Sequence, residues 1–212
     1  MAEAKICGLT APDAVQAALD GGAAYLGFVF FAKSPRSLSP EVAGHLAAPA
    51  RGKAKCVAVT VDPDDETLDR IMARLAPDVV QLHGREGPAR VAEVRARTGA
   101  EVIKAVSIGA AEDLAGLRDY EDVADYLMLD AKAPPGAILP GGNGEAFDWT
   151  LAAQRRFTRP WFLAGGLDRW NVTEALHLSG APLVDVSSGV ERGPGYKDPR
   201  LIMAFLDAVR RA

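Results

Sequence analysis

Two short apolar runs of this chain end in small, glycine-containing turns: Leu163-Ala164-Gly165-Gly166-Leu167 and Val184-Asp185-Val186-Ser187-Ser188-Gly189. Backbone N–H groups bare of side chains can close on an anion at such turns, a phosphate above all. Further polar residues stand at or just beyond the ends of other apolar runs: Cys7, Arg36, His83 and Asp130. A thiolate can take a proton, a carboxylic acid can give one, and an arginine can grip a carboxylate through two donors. Asp185 breaks an apolar run from inside, so it needs a buried partner or a polar ligand.

Each of these residues also has a plainer reading. Cys7 fits a small buried cysteine at a strand end, Arg36 a solvated loop arginine, and His83 a satisfied structural histidine. Asp130 fits a turn-forming aspartate, and the glycines fit ordinary turns. Cys56 lies within the apolar run Val57-Ala58-Val59 and reads as core. His45 and His177 fall within helical stretches, and three scattered histidines do not form a metal site.

The elements that must carry these residues are eight apolar runs alternating with amphipathic stretches, the sign of repeated βα units on a parallel sheet. The strands read Ala4 to Cys7, Tyr25 to Phe30, Cys56 to Val61, Val79 to Leu82, Val102 to Val106, Tyr126 to Leu129, Trp161 to Ala164 and Leu183 to Val186. Helices open at Pro12, at Ser39-Pro40, after Asp62-Pro63, at Pro88, after Asp148, near Asn171 and at Pro199, with a short one over Ala111 to Leu117. The expectation is an α/β fold, one (β/α)8 barrel domain over residues 1–212. In such a barrel Gly165, Gly166, Ser187, Ser188 and Gly189 form the phosphate site after strands 7 and 8. Cys7, Arg36, His83 and Asp130 then face the same mouth. Residues 131–147 are too rich in Pro and Gly for a helix or strand and directly follow Asp130, which predicts a functional lid.

Bulk properties narrow the function classes. Of 212 residues, 24 are basic and 28 acidic, for a net charge of −4 with no long basic run, which argues against nucleic acid as a partner. A hydrophobic content of 49% fits one sizeable core. No run approaches the ~20 apolar residues needed to span a bilayer, so no membrane partner is expected. The chain enters a strand at once, without room for a signal peptide, and its two cysteines are no disulfide framework. A cytoplasmic location is expected.

Taken in order, Lys5-Ile6-Cys7-Gly8-Leu9-Thr10, Gly27-Phe28-Val29-Phe30, Lys33-Ser34-Pro35-Arg36, Val80-Gln81-Leu82-His83-Gly84, the two glycine turns through Glu191, and Pro194-Gly195-Tyr196-Lys197-Asp198-Pro199 give a chain that resembles the phosphoribosylanthranilate isomerases from end to end. The resemblance implies the Amadori rearrangement of N-(5-phosphoribosyl)anthranilate to 1-(2-carboxyphenylamino)-1-deoxyribulose 5-phosphate in tryptophan biosynthesis. It also implies Cys7 as general base, Asp130 as general acid, and Arg36 on the anthranilate carboxylate. His83 and Asp185 become lesser substrate contacts. The only partner implied is a small phosphosugar substrate, the protein being a monomer or homodimer.

The chemistry is consistent with those types. Opening a furanose needs a proton on the ring oxygen, and the resulting Schiff base activates the adjacent C–H toward a thiolate, with no cofactor and no metal required. For the pair to work near neutral pH the thiol must be partly ionised, so polar neighbours are expected to pull it down. Asn143 and Glu145 stand where the family more often has Thr or Ser and then Lys. Alternatives are the sister aminoaldose isomerase of histidine biosynthesis or a dual-substrate relative, and a non-catalytic phosphosugar-binding barrel. Cys7 argues against the first two, and retention of both acid and base against the last.

Overall fold

The structure is a computed structural model describing residues 2–132, 136, 139, 141 and 146–212. Most of the stretch expected as a lid, with Pro134-Pro135, Asn143 and Glu145, lies outside the described residues. Eight parallel strands close on themselves in sequence order: β1 (Glu3–Cys7), β2 (Tyr25–Phe30), β3 (Lys55–Thr60), β4 (Val79–Leu82), β5 (Glu101–Ile108), β6 (Tyr126–Ala131), β7 (Trp161–Leu163) and β8 (Leu183–Val186). The circle shuts where β1 pairs with β8, Ala4 opposite Val184 and Lys5 opposite Asp185. Around it run α1 (Pro12–Asp20), α2 (Pro40–Ala47), α3 (Asp65–Arg74), α4 (Pro88–Thr98), α5 (Arg118–Glu121), α6 (Thr150–Ala153), α7 (Val172–Ser179) and α8 (Pro199–Arg211). The expected (β/α)8 barrel is what the chain forms.

Strand parity sorts the side chains. Every second residue points into the barrel, and the alternate set packs beneath the helices. The outward layer is apolar: Ile6, Leu26, Phe28, Ala58, Val80, Leu127 and Leu129 meet helix residues such as Leu68, Ile71 and Phe205, all buried. Burial of each large side chain is worth about 1.5–3 kcal/mol. The inward layer grades from aromatic to polar. Tyr25, Tyr126 and Phe162, near the strand starts, pack with ring centroids 5.1–6.1 Å apart and plug the barrel's N-terminal end. Lys5, Cys7, Gln81, Asp130 and Asp185 share the inward parity farther along, near the strands' C-terminal ends.

Local signals explain most boundaries. Ser39 caps α2 by accepting the Val42 N–H, and Gly99 and Gly180 close α4 and α7 in the left-handed region. α3 opens just past Asp62-Pro63, with Asp64 as its cap accepting the Thr67 N–H at 2.8 Å. Asp62 accepts the Arg85 N–H at 2.7 Å and donates its own N–H to Glu86, tying the β3 end to the loop after β4. One difference from the sequence pattern follows β8. The chain makes a 3-10 turn (Ser188–Val190) and then an antiparallel ribbon, β9 (Glu191–Gly193) with β10 (Tyr196–Lys197), before α8 begins.

Candidate active site

Cys7, Arg36, His83, Asp130 and Asp185 line one cavity at the C-terminal mouth, together with Gly165, Gly166, Ser187 and Ser188. Its space, counted out into the open solvent of the mouth, is about 710 Å³, and Val29, Phe31, Val59 and Leu167 give it apolar walls. Parity accounts for the convergence: Cys7, Asp130 and Asp185 project inward from β1, β6 and β8, and His83 follows directly on β4, at the level where the plugged core ends. Cys56 lies elsewhere, buried in β3 with its backbone N–H donating to Asp78.

Cys7 sits above a buried ion pair. Lys5, with no exposed surface, donates to Asp185 Oδ1 at 2.8 Å, which gives the aspartate inside strand 8 the buried partner it needs. A methyl carbon built on Gly27 would lie 3.2 Å from both Cys7 Sγ and Lys5 Nζ, so the thiol and the ammonium share one corner of the barrel. Burial pushes the Cys7 thiol up, the nearby Lys5 and Lys197 pull it down, and Asp185 opposes them. Burial wins, so the net direction is opposite to the expected one: the neighbours are cationic, but the thiol is buried. For Lys5, burial works against the charge, but Asp185 and Cys7 outweigh it and hold the ammonium above its ordinary value.

Arg36 is buried rather than solvated, because a carboxylate holds it. Its Nε and Nη2 donate to the two oxygens of Glu191 at 2.7 and 2.8 Å, a bidentate fork. Lys197 donates to the same carboxylate at 2.7 Å and to the Ser187 carbonyl at 2.9 Å. Burial pushes Glu191 up, but Arg36 and Lys197 more than offset it and hold the carboxyl below its ordinary value. Burial holds the Lys197 ammonium below its ordinary value, and of the three groups Arg36 is the one that lines the cavity. Nη1 of Arg36 takes no part in the Glu191 fork.

Across the mouth, Gln81, His83 and Asp130 form a chain. Gln81 Nε2 lies 2.8 Å from His83 Nδ1, and His83 Nε2 lies 3.0 Å from Asp130 Oδ2. The other carboxylate oxygen of Asp130 accepts the Ala131 N–H at 3.0 Å. Gly141 of the long loop rests on this pair: a methyl carbon there would come within 2.6 Å of His83 Nε2 and still nearer Asp130. Behind His83 its loop is pinned by the buried pair Lys104–Glu86 (2.6 Å), Glu86 also accepting the Gly84 N–H.

The glycine turns meet opposite. Gly165 and Gly166 both take positive φ (86° and 64°), a conformation side chains resist. Asn171 Nδ2 donates to the Gly166 carbonyl and its Oδ1 accepts the Asp168 N–H, both at 2.8 Å, clamping the turn. Gly189 packs so closely on the Leu167 carbonyl that a methyl group would collide with it. Among the described residues, the N–H groups of Gly165, Gly166, Ser188 and Gly189 make no hydrogen bond to a backbone carbonyl. The Ser187 hydroxyl is committed to the Cys7 carbonyl at 3.2 Å, so this residue joins β8 to β1.

Lys5, Gln81, Asn171, Glu191 and Lys197 complete the arrangement without having been singled out from the sequence. A charge or amide at an inward strand position was the available signal for Lys5 and Gln81. The pairing of Glu191 with Arg36 spans 155 residues and had none. Among the described residues no group of three or more His, Cys, Asp or Glu is placed to hold a metal ion, and no helix is long and apolar enough to cross a membrane.

Comparison with known proteins gives concordant results. The family model for N-(5'-phosphoribosyl)anthranilate (PRA) isomerase matches residues 4–208. An N-(5'-phosphoribosyl)anthranilate isomerase of Caulobacter vibrioides is 60% identical, over 99% of this chain and 96% of its own. The crystal structure of the phosphoribosyl anthranilate isomerase of Thermotoga maritima superposes with a TM-score of 0.90 at 33% identity, covering both chains fully. A phosphoribosyl anthranilate isomerase in complex with reduced 1-(o-carboxyphenylamino)-1-deoxyribulose 5-phosphate matches at a TM-score of 0.87 and 31% identity, again over both full chains.

Proposed function

The chain belongs to the phosphoribosylanthranilate isomerase family and catalyses that family's step of tryptophan biosynthesis; from this premise we propose how its residues divide the work. Asp130 is the general acid and Cys7 the general base. Arg36 binds the anthranilate carboxylate, with His83 and Asp185 as further contacts. The turns at Gly165-Gly166 and Ser187-Ser188-Gly189 hold the 5'-phosphate. The observation that carries this reading is the shared cavity: a thiol and a carboxyl face it from different strands, between a cationic wall and a wall of bare N–H groups.

The reaction proceeds by proton transfers alone. Asp130 gives its proton to the furanose ring oxygen, and the C1–O bond breaks as the anilino nitrogen supplies its lone pair. The product is a protonated Schiff base, which acidifies the hydrogen on C2. Cys7 removes that proton, the electron pair forms the enamine, and tautomerisation of the enol delivers the ketone. The Schiff-base cation forms beside the thiol, so it favours the thiolate at the moment it is needed. Lys5 contributes a fixed positive charge close to the thiol. Arg36 and the glycine turns grip the two anionic ends of the substrate and stretch it across the mouth, which converts binding into orientation.

Replacement tests the division. Cys7→Ala and Asp130→Asn should each lower kcat at least ~10²-fold, the range for losing a general base or acid, while both still bind the product. A Cys7→Ala protein of near-normal kcat makes Cys7 a core residue, and the same result for Asp130→Asn removes the acid.

A further inference from the structure

Gln81 is a buried amide in the wall of the cavity, 1% exposed, and its two amide hydrogens are both spent. Nε2 faces His83 Nδ1 at 2.8 Å and Met128 Sδ at 3.4 Å. Its Oε1 is buried and has no hydrogen-bond partner among the described residues. A buried orphan oxygen normally costs about 1–3 kcal/mol, so an amide kept in this orientation calls for a reason. The reason is at the imidazole. With the Gln81 amide nitrogen donating to it, Nδ1 would carry no proton and the ring hydrogen would sit on Nε2, 3.0 Å from Asp130 Oδ2.

We propose that Gln81 is a positioning residue that fixes His83 in the Nε2–H tautomer, so that the imidazole donates to Asp130 and stabilises the carboxylate formed when the acid proton leaves. In the opposite tautomer His83 would accept the Asp130 O–H, tying up the proton that the ring oxygen must receive. The second amide contact, to Met128, keeps Gln81 from turning its oxygen toward the ring. The Ala131 N–H on Oδ1 and the His83 N–H on Oδ2 would then each hold one oxygen of the carboxylate. The proposal rests on Asp130 being the general acid, but its structural half does not.

Two-dimensional ¹H–¹⁵N correlation through the imidazole two-bond couplings reads the tautomer directly, with the wild-type protein labelled at histidine. His45 and His177 lie on outer helices and are assigned by replacement. The expected result at neutral pH is the neutral Nε2–H pattern for His83; an Nδ1–H pattern or an imidazolium pattern overturns the proposal. Gln81→Leu, which keeps the bulk and removes the donor, should mix in the Nδ1–H tautomer. It should lower kcat about tenfold with KM changed less than threefold, the equivalent of about one lost hydrogen bond. A tautomer that shifts in Gln81→Leu while kcat stays at the wild-type value refutes the catalytic half. Asp130→Asn measured alongside separates the cases. If it retains kcat, the acid assignment has failed, and if it loses kcat while Gln81→Leu does not, only the role of Gln81 has failed. Should Gln81→Leu not fold, the wild-type spectrum alone decides.

Discussion

Replacing Lys5 with Met removes the cation closest to the proposed base and leaves the helix-facing layer untouched. Sγ of Cys7 and Nζ of Lys5 each lie 3.2 Å from the same point at Gly27, so they are no more than about 6.4 Å apart. At an effective dielectric constant of about 20, unit charges at that separation attract by about 2.6 kcal/mol, roughly a hundredfold in the ionisation equilibrium of the thiol. The Asp185 carboxylate left behind acts in the same direction. In Lys5→Met the ascending limb of kcat/KM should move toward alkaline pH, and activity at neutral pH should fall about 100-fold. Substrate fluorescence gives the rate profile, and the pH dependence of iodoacetamide alkylation titrates Cys7 independently of turnover. Cys56 does not interfere, because burial and the nearby Asp78 push it up to about 11. Unpairing buried Asp185 costs about 3–5 kcal/mol of stability, so thermal melts accompany the assay and Lys5→Met/Asp185→Asn serves as the charge-neutral control. An alkylation profile of Lys5→Met that overlays the wild type would refute the reasoning: Lys5 would then exert no field on the base.

Arg36→Ala should lower kcat/KM tenfold to a hundredfold, the loss of a charge-assisted pair worth about 1.5–3 kcal/mol, with most of the change in KM; steady-state kinetics checks it. Glu191→Gln should raise KM as well, because the guanidinium loses its bidentate anchor. The Glu191 carboxyl is held below its ordinary value, so its stabilisation is complete above the ordinary carboxylate range and is lost as pH falls through the lowered one. Urea melts from neutral to acid pH should therefore fall less steeply for Glu191→Gln than for the wild type. Gly189→Ala should push the turn away from the Leu167 carbonyl, raising KM for the phosphosugar and weakening competitive inhibition by inorganic phosphate, with kcat nearly unchanged. Unaltered phosphate inhibition would place the phosphate elsewhere.

Strand and helix order was written in local pattern, because a parallel barrel buries both faces of each strand and its helices carry their own stops. Tyr25–Phe30, Val79–Leu82 and Leu183–Val186 are strands at the bounds their apolar runs mark, and Pro12, Ser39-Pro40 and Gly180 punctuate helices where their chemistry requires. The residues for chemistry were legible for a related reason. A strand end is a fixed address in this topology, so Cys7, Asp130 and the glycine turns could be assigned to one mouth from order alone. Tertiary structure decided what surrounds them. Arg36 meets Glu191, and Lys5 meets Asp185, only because the barrel closes β8 against β1, across separations of 155 and 180 residues that no local pattern records. The direction in which the Cys7 thiol is pushed was decided in the same way. The sequence names the cations nearby, but burial is a property of the assembled barrel, and at Cys7 it outweighs them.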